Sequence, residues 1–207
     1  MYKRIAVLVL LLCNMHANAQ TIQELNSNWK CRESSDVKAD GSILSGITYP
    51  LDKWMHAVVP GTVLTTLIEN KLVSDPFFGM NNEQIHDINK LGKEAYTFWF
   101  VNDFNTTYVK GKQYWLHLRG INYRCNIYLN GHLVNVESNV GMFLRHTYNI
   151  TPYLSTNGKN RIAIIVYPPD FSGNANGGQG GDGIIAKNVA SQYTAGWDWI
   201  RPVRDRN

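Results

Sequence analysis

The chain has 207 residues, 44% of them hydrophobic, and a formal net charge of +4 at pH 7. That length suits one domain with a sizeable core. A charge so small and so evenly spread offers no footing for nucleic acid.

Residues 1–19 read as a targeting segment. Lys3 and Arg4 form a positive n-region, Ile5 to Cys13 an apolar run, and Ala17-Asn18-Ala19 an A-x-A cleavage site that would leave Gln20 as the first mature residue. The run is well short of the ~20 residues that a transmembrane helix needs, and nothing later is long and apolar enough to span a bilayer. Leu12 is not the small residue that lipid attachment at Cys13 prefers. The expectation is export to the periplasm or the extracellular space, with no membrane partner. The mature chain keeps 188 residues, the 207 less these 19, and a charge of +2 because Lys3 and Arg4 leave. It retains Cys31 and Cys125, whose distance in sequence does not imply a disulfide; two separate, half-buried thiols are expected. No CxxC or HxxxH spacing points to a metal, and no cofactor is expected.

Thr62 to Asn70 is the one helical pattern. Pro60-Gly61-Thr62 opens it, and Val63, Leu64, Leu67 and Ile68 make one apolar stripe at 3.6 spacing. Asp75-Pro76-Phe77-Phe78-Gly79 then reads as a turn-rich loop. Strand signals dominate from there. Tyr96 to Phe104 is rich in aromatic residues, and Gln113 to Leu118 alternates with Tyr114, Leu116 and Leu118 on one face. Arg124 to Leu129 runs into Asn130-Gly131, the strongest short hairpin signal, and then His132-Leu133-Val134. Gly141 to Tyr148 and Arg161 to Tyr167 complete the run, with Asn157 to Asn160 as a turn. The spacing of these turns without helices between them predicts a β-sandwich or jelly roll. Phe171 to Gly183 carries too much glycine for a core element and reads as an exposed loop.

The tail holds the candidate site. Trp197-Asp198-Trp199 flanks a carboxylate with two indoles, a pattern suited to sugars: rings cover the C–H face of a pyranose and the carboxylate accepts from its hydroxyls. Alternation puts Trp197 and Trp199 on one face and Asp198 on the other, so either tryptophan is also a candidate for the core. Arg201, Arg204, Asp205 and Arg206 fit an ion-pair network at a domain junction. Glu69, Glu83, Glu94 and Glu137 are scattered, and His86, His117, His132 and His146 form no constellation with a serine or cysteine nucleophile. Trp115 and Tyr123 are expected in or beside the core. Asn105-Thr106-Thr107 and Asn149-Ile150-Thr151 have the glycosylation spacing, though the bacterial-looking export signal speaks against modification.

Several of these segments resemble the N-terminal sandwich domain of family 2 glycoside hydrolases. The motifs are Leu116-His117-Leu118-Arg119-Gly120-Ile121-Asn122-Tyr123, Ile127-Tyr128-Leu129-Asn130-Gly131, Gly141-Met142-Phe143, and Asn149-Ile150-Thr151 with Leu154. Upstream, Val59 to Leu64 and Asp75 to Asn81 resemble the same family. The tail is most like a branch that includes exo-β-D-glucosaminidases and mannosylglycoprotein endo-β-mannosidases. The resemblance implies an all-β, galactose-binding-like jelly-roll sandwich over residues 20–207 with one short helix, ending before its last strand. It implies that an immunoglobulin-like domain and a (β/α)8 barrel with two catalytic glutamates would follow. It further implies that Asp198 reaches into the sugar subsite of that barrel. On that reading the substrate is a β-linked glucosamine or mannose, Trp197, Asp198 and Trp199 bind it, and this chain alone is inactive. A free-standing carbohydrate-binding module is the alternative, and a non-folding gene remnant a third.

Overall fold

The computed structural model describes residues 20–85, 93–137 and 139–170. Among these described residues nine strands run in chain order: β1 Lys30–Glu33, β2 Met55–His56, β3 Phe98–Asn105, β4 Trp115–Leu118, β5 Arg124–Leu129, β6 His132–Leu133, β7 Asn139–Val140, β8 His146–Asn149 and β9 Lys159–Tyr167. Two α-helices accompany them, α1 Gly41–Leu44 and α2 Val63–Glu69. The large sheet has the order β2-β1-β3-β9-β5-β6, with β7 also on β5, and β4 and β8 form a second sheet of two strands. All pairings are antiparallel. The fold is the β-sandwich that the turn spacing predicts.

The middle strands read as almost unbroken apolar runs because the large sheet is buried on both faces. Along β9, Ile162, Ile164 and Val166 face one cluster with Phe98 and Phe100 of β3 and Cys125, Ile127 and Leu129 of β5. Ala163, Ile165 and Tyr167 face the other, with Trp99 and Val101 of β3 and Tyr128 of β5. The first cluster is the sandwich interior. It is closed by Leu116, Leu118 and Tyr148 from the small sheet and by Val63 and Leu67 from α2. Residues 37–54, including α1, cover the second through Leu44, Leu51 and Trp54. Each such buried aliphatic or aromatic side chain contributes about 1.5–3 kcal/mol.

Helix α2 forms where the stripe predicts. Thr62 is its N-cap, accepting from Thr65 N at 3.1 Å while the Thr65 hydroxyl accepts from Thr62 N at 2.7 Å. The Asn130-Gly131 turn has φ of 49° and 91°, the left-handed pair that a two-residue hairpin needs. Three expectations change. The segment expected as one strand over 141–148 is instead β7 ahead of it and a short β8, because Gly141 at φ 129° turns the chain. Strands β1 and β2 add to the expected set. The cysteines are fully buried, at 1% and 0% exposure, rather than half-buried, and both are free. Cys31 pairs with Phe100, Phe100 with Ile164 and Ile164 with Ile127, two residues from Cys125. Three strand spacings, about 14 Å, separate them, far beyond the ~7 Å limit of a disulfide.

Polar anchors fasten the outer cover. Arg161, 5% exposed, donates to Asp103 through Nε at 2.5 Å and Nη2 at 2.8 Å, and through Nη1 to the carbonyls of Gly46 at 3.0 Å and Tyr49 at 2.6 Å. Asp40 caps α1 by accepting from Ile43 N at 2.9 Å. Gly41, the first residue of α1, lies against the Tyr128 ring so closely that a Cβ would stand 2.2 Å from it.

Candidate functional site

Trp197, Asp198 and Trp199 lie outside the described residues, as do residues 1–19, His86, the glycine-rich segment 171–183 and the charged cluster 201–206. The described residues next to that tail are those at the end of β9. Strand β9 ends at Tyr167 beside the start of β5, with Tyr123 N donating to Tyr167 O at 2.9 Å. The Arg124 guanidinium sits 5.0 Å from the centre of the Tyr167 ring and 3.7 Å from the Asp170 carboxylate. Burial raises the Tyr167 phenol above its ordinary value, with Tyr128 adding to the rise and Arg124 opposing it. The loops 119–123 and 141–145 share this end of the sandwich, tied by Gly141 N donating to Tyr123 O at 2.8 Å.

A shallow cleft of about 440 Å³ opens between the β7 edge and β8, lined by Asn135, Val136, Glu137, Asn139, His146 and Tyr148 among others. Alternation along β8 turns His146 and Tyr148 towards the interior while Thr147 and Asn149 face solvent. The two inward rings stack at 6.3 Å with 14° between planes. The Tyr148 hydroxyl donates to Asn139 Oδ1, whose amide nitrogen lies 3.5 Å from Cys125 Sγ. Burial raises the Tyr148 phenol, the hydrogen bond to Asn139 opposes that rise, and Cys125 adds to it. Burial likewise pushes the Cys125 thiol up to about 11. His146 Nε2 is buried with no hydrogen-bond partner among the described residues. Asn135 does structural work at the floor. Its side chain accepts from Ile127 N at 2.6 Å and donates to Cys125 O at 2.9 Å, bridging β5 between its pairings with β7 and β6. These groups are suited to hydrogen-bonding recognition. Double displacement needs two carboxylates about 5–5.5 Å apart, and Glu137 is the one carboxylate among the described residues lining the cleft.

The motifs that carry the family resemblance are mostly architectural. Asn130 donates to Tyr153 O and to Asn160 Oδ1, both at 2.8 Å, and accepts from Arg161 N at 2.9 Å. Thr151 Oγ1 accepts from Tyr114 N at 2.8 Å, and Asn149 Oδ1 accepts from Thr151 N at 3.0 Å. His117 and His132 are strand residues, as expected; the first bonds Thr147 at 3.0 Å and the second stacks on Tyr153. Trp115 corrects its expectation, because it occupies the solvent face of β4 and is 48% exposed. No local motif marks the cleft: Asn139, His146 and Tyr148 belong to none, and the pairing of β7 on β5 brings them together. Among the described residues no group of three or more His, Cys, Asp or Glu side chains could hold a metal ion, and no helix is long and apolar enough to cross a membrane.

The model of the glycosyl hydrolase 2 galactose-binding domain-like family matches residues 29–205. A mannosylglycoprotein endo-beta-mannosidase of Lilium longiflorum is 47% identical over 193 residues, covering 89% of this chain and 20% of that protein. An exo-beta-D-glucosaminidase of Streptomyces avermitilis is 25% identical over 183 residues, covering 87% of this chain and 18% of its own length. The chain thus spans about a fifth of the length of the curated relatives it matches. Among solved structures, a beta-D-mannosidase from Dictyoglomus thermophilum superposes with a TM-score of 0.64 at 22% identity, covering 91% of this chain and 22% of that one, a likeness of fold.

Proposed function

Because the chain belongs to glycosyl hydrolase family 2, matching its galactose-binding-like domain over residues 29–205, we propose that it is the sugar-recognising N-terminal domain of an exported β-glycosidase. The substrate is a β-linked mannose or glucosamine. The observation that carries this reading is the 47% identity to a mannosylglycoprotein endo-beta-mannosidase along 89% of the chain, which puts more weight on mannose. The 25% identity to an exo-beta-D-glucosaminidase keeps glucosamine in play.

In this reading Asp198 accepts hydrogen bonds from sugar hydroxyls, and Trp197 and Trp199 supply apolar faces beside it. The domain orients substrate. The bond is broken by two glutamates of a (β/α)8 barrel that follows an immunoglobulin-like domain in the same polypeptide. In that complete hydrolase, Asp198→Ala should raise KM for a chromogenic β-mannoside at least tenfold, roughly the loss of one charge-assisted hydrogen bond. Unchanged kinetics would remove Asp198 from the site. Export predicts a secreted product that begins at Gln20, and recovery of a secreted product still carrying Met1 would contradict the cleavage.

One observation favours a second reading, a carbohydrate-binding module. Half-exposed Trp115 shares the outward face of the small sheet with Asn149, its cross-strand partner, and with the His117–Thr147 pair. Micromolar binding of mannan or chitosan oligomers by this chain, abolished by Trp115→Ala, would establish that reading in place of the first.

A further inference from the structure

Two Asn-Gly pairs flank the start of β9, Asn130-Gly131 and Asn157-Gly158. A glycine after asparagine leaves its own backbone nitrogen unshielded by any side chain, so that nitrogen can approach the asparagine Cγ closely. The surroundings of the two pairs differ sharply. Asn130 is half-buried and held at each side-chain atom that such an approach would move. Its Nδ2 donates to Tyr153 O and Asn160 Oδ1, both at 2.8 Å, and its Oδ1 accepts from Arg161 N at 2.9 Å. Its backbone N donates to Arg161 O at 3.1 Å, and Gly131 N donates to the Ser45 hydroxyl at 2.9 Å. Asn157, in contrast, is exposed. Its Oδ1 accepts from Ser155 Oγ at 2.8 Å and from Lys159 N at 2.9 Å, while its Nδ2 has no partner among the described residues. Gly158 N makes a longer bond, 3.2 Å, to Ser155 O.

We infer that Asn157-Gly158 is a spontaneous deamidation site of the folded domain, and that the fold shields Asn130-Gly131 from the same reaction. Gly158 N gives its proton to solvent as its electron pair forms a bond to Asn157 Cγ. The Cγ–Nδ2 bond then breaks, and the nitrogen leaves as ammonia with a proton from water. Water opens the five-membered imide at either carbonyl and yields aspartate or isoaspartate, with nothing oxidised or reduced. The bonds that Asn157 already makes fall on Oδ1, the atom on which negative charge develops, so the attack keeps them. At Asn130 the departing nitrogen must surrender two bonds and the attacking nitrogen a third. The isoaspartate product runs the backbone through Cγ, one methylene longer, immediately ahead of β9. Gly158 O accepts from Thr106 N at 2.9 Å and from Asn160 Nδ2 at 3.1 Å, so that methylene disturbs the first rung between β3 and β9. A third pair, Asn176-Gly177, lies outside the described residues.

The test incubates the purified chain at mildly alkaline pH, folded and in concentrated urea, and maps its peptides by mass spectrometry at successive times. Each pair falls on its own peptide, so the exchange of amide for carboxylate is read separately at Asn130, Asn157 and Asn176. In the folded chain Asn157 should convert at least about tenfold faster than Asn130, the factor expected when several hydrogen bonds must open before attack. In urea the two rates should converge, because the bonds that distinguish them are gone. Equal rates in the folded chain, or faster conversion of Asn130, would overturn the inference. A difference that persists in urea would also overturn it, by assigning the contrast to neighbouring sequence and not to the fold. Asn157 left intact in the folded chain while it converts in urea would remove the site itself. Protein enriched in isoaspartate at 157 should melt below the unconverted chain, and equal melting would overturn the effect on β9.

Discussion

The two faces of the central sheet are covered in different ways. Over the interior face lie regular elements, β4 and β8 in one sheet and helix α2, which pack through Leu116, Leu118, Tyr148, Val63 and Leu67. Over the other face lies an irregular stretch, residues 37–54, with only the single turn of α1. Regular elements satisfy their own backbone, so the interior cover needs little more than apolar contact and a helix cap. The irregular stretch has no ladder of its own, and its polar groups must be met one by one. Arg161, Asp40 and the Ser45 hydroxyl, which accepts from Gly131 N at 2.9 Å, do so. Single-residue changes should therefore damage the outer cover through its anchors more than the inner cover through its cap.

Arg161→Leu should be the most damaging. It strands the Tyr49 carbonyl, leaves the Gly46 carbonyl with only its bond from Tyr49 N, and unpairs half-exposed Asp103; losing the half-buried pair and both carbonyl bonds should cost about 3 kcal/mol in urea unfolding. A loss under about 1 kcal/mol would mean that apolar contact alone holds the outer cover. Gly41→Ala comes next, at about 2 kcal/mol, because the new Cβ meets Tyr128, itself backed by Trp99 with ring centres 5.9 Å apart. A neutral result would show that α1 slides freely over the sheet.

The interior cover gives smaller effects. Burial pushes Cys31 up to about 12 from an ordinary 9.0. The unfolded chain therefore releases that proton at lower pH than the folded chain does. Its contribution is complete below pH 9 and falls away as pH rises towards 12. Unfolding free energy should drop between pH 8 and pH 10 by about 1.4 kcal/mol more in the native chain than in Cys31→Ala. Parallel pH profiles would contradict the burial of that thiol. Thr62→Ala should cost about 1 kcal/mol, the loss of one helix cap with its reciprocal bond, and a cost as large as that of Arg161→Leu would erase the contrast between the covers.

What the sequence revealed follows the same division. Strand β5 matches its expected bounds, and the Tyr114, Leu116 and Leu118 face packs inward, because strict alternation beside an Asn-Gly turn leaves one arrangement. Strand β1 carries no strand signal because Lys30, Arg32 and Glu33 surround its one apolar residue, and β2 has only two residues. The outer cover was invisible, since its fit depends on Arg161 reaching across more than a hundred positions of sequence to Gly46 and Tyr49. For the cleft, the imidazole and phenol of β8 follow the strand period, yet their meeting with Asn139 depends on a pairing that no local signal encodes. The Trp197-Asp198-Trp199 pattern stood out because two indoles around a carboxylate suit a sugar, and its geometry lies outside the described residues.

The most direct test of the functional account is an assay of residues 20–207 against chromogenic β-mannoside, β-glucosaminide and β-galactoside, beside the same chain extended through the coding sequence downstream of Asn207. The account predicts no turnover above background by residues 20–207 and hydrolysis of the mannoside or glucosaminide by the extended protein. Turnover by residues 20–207 alone would place catalysis within this domain and contradict it.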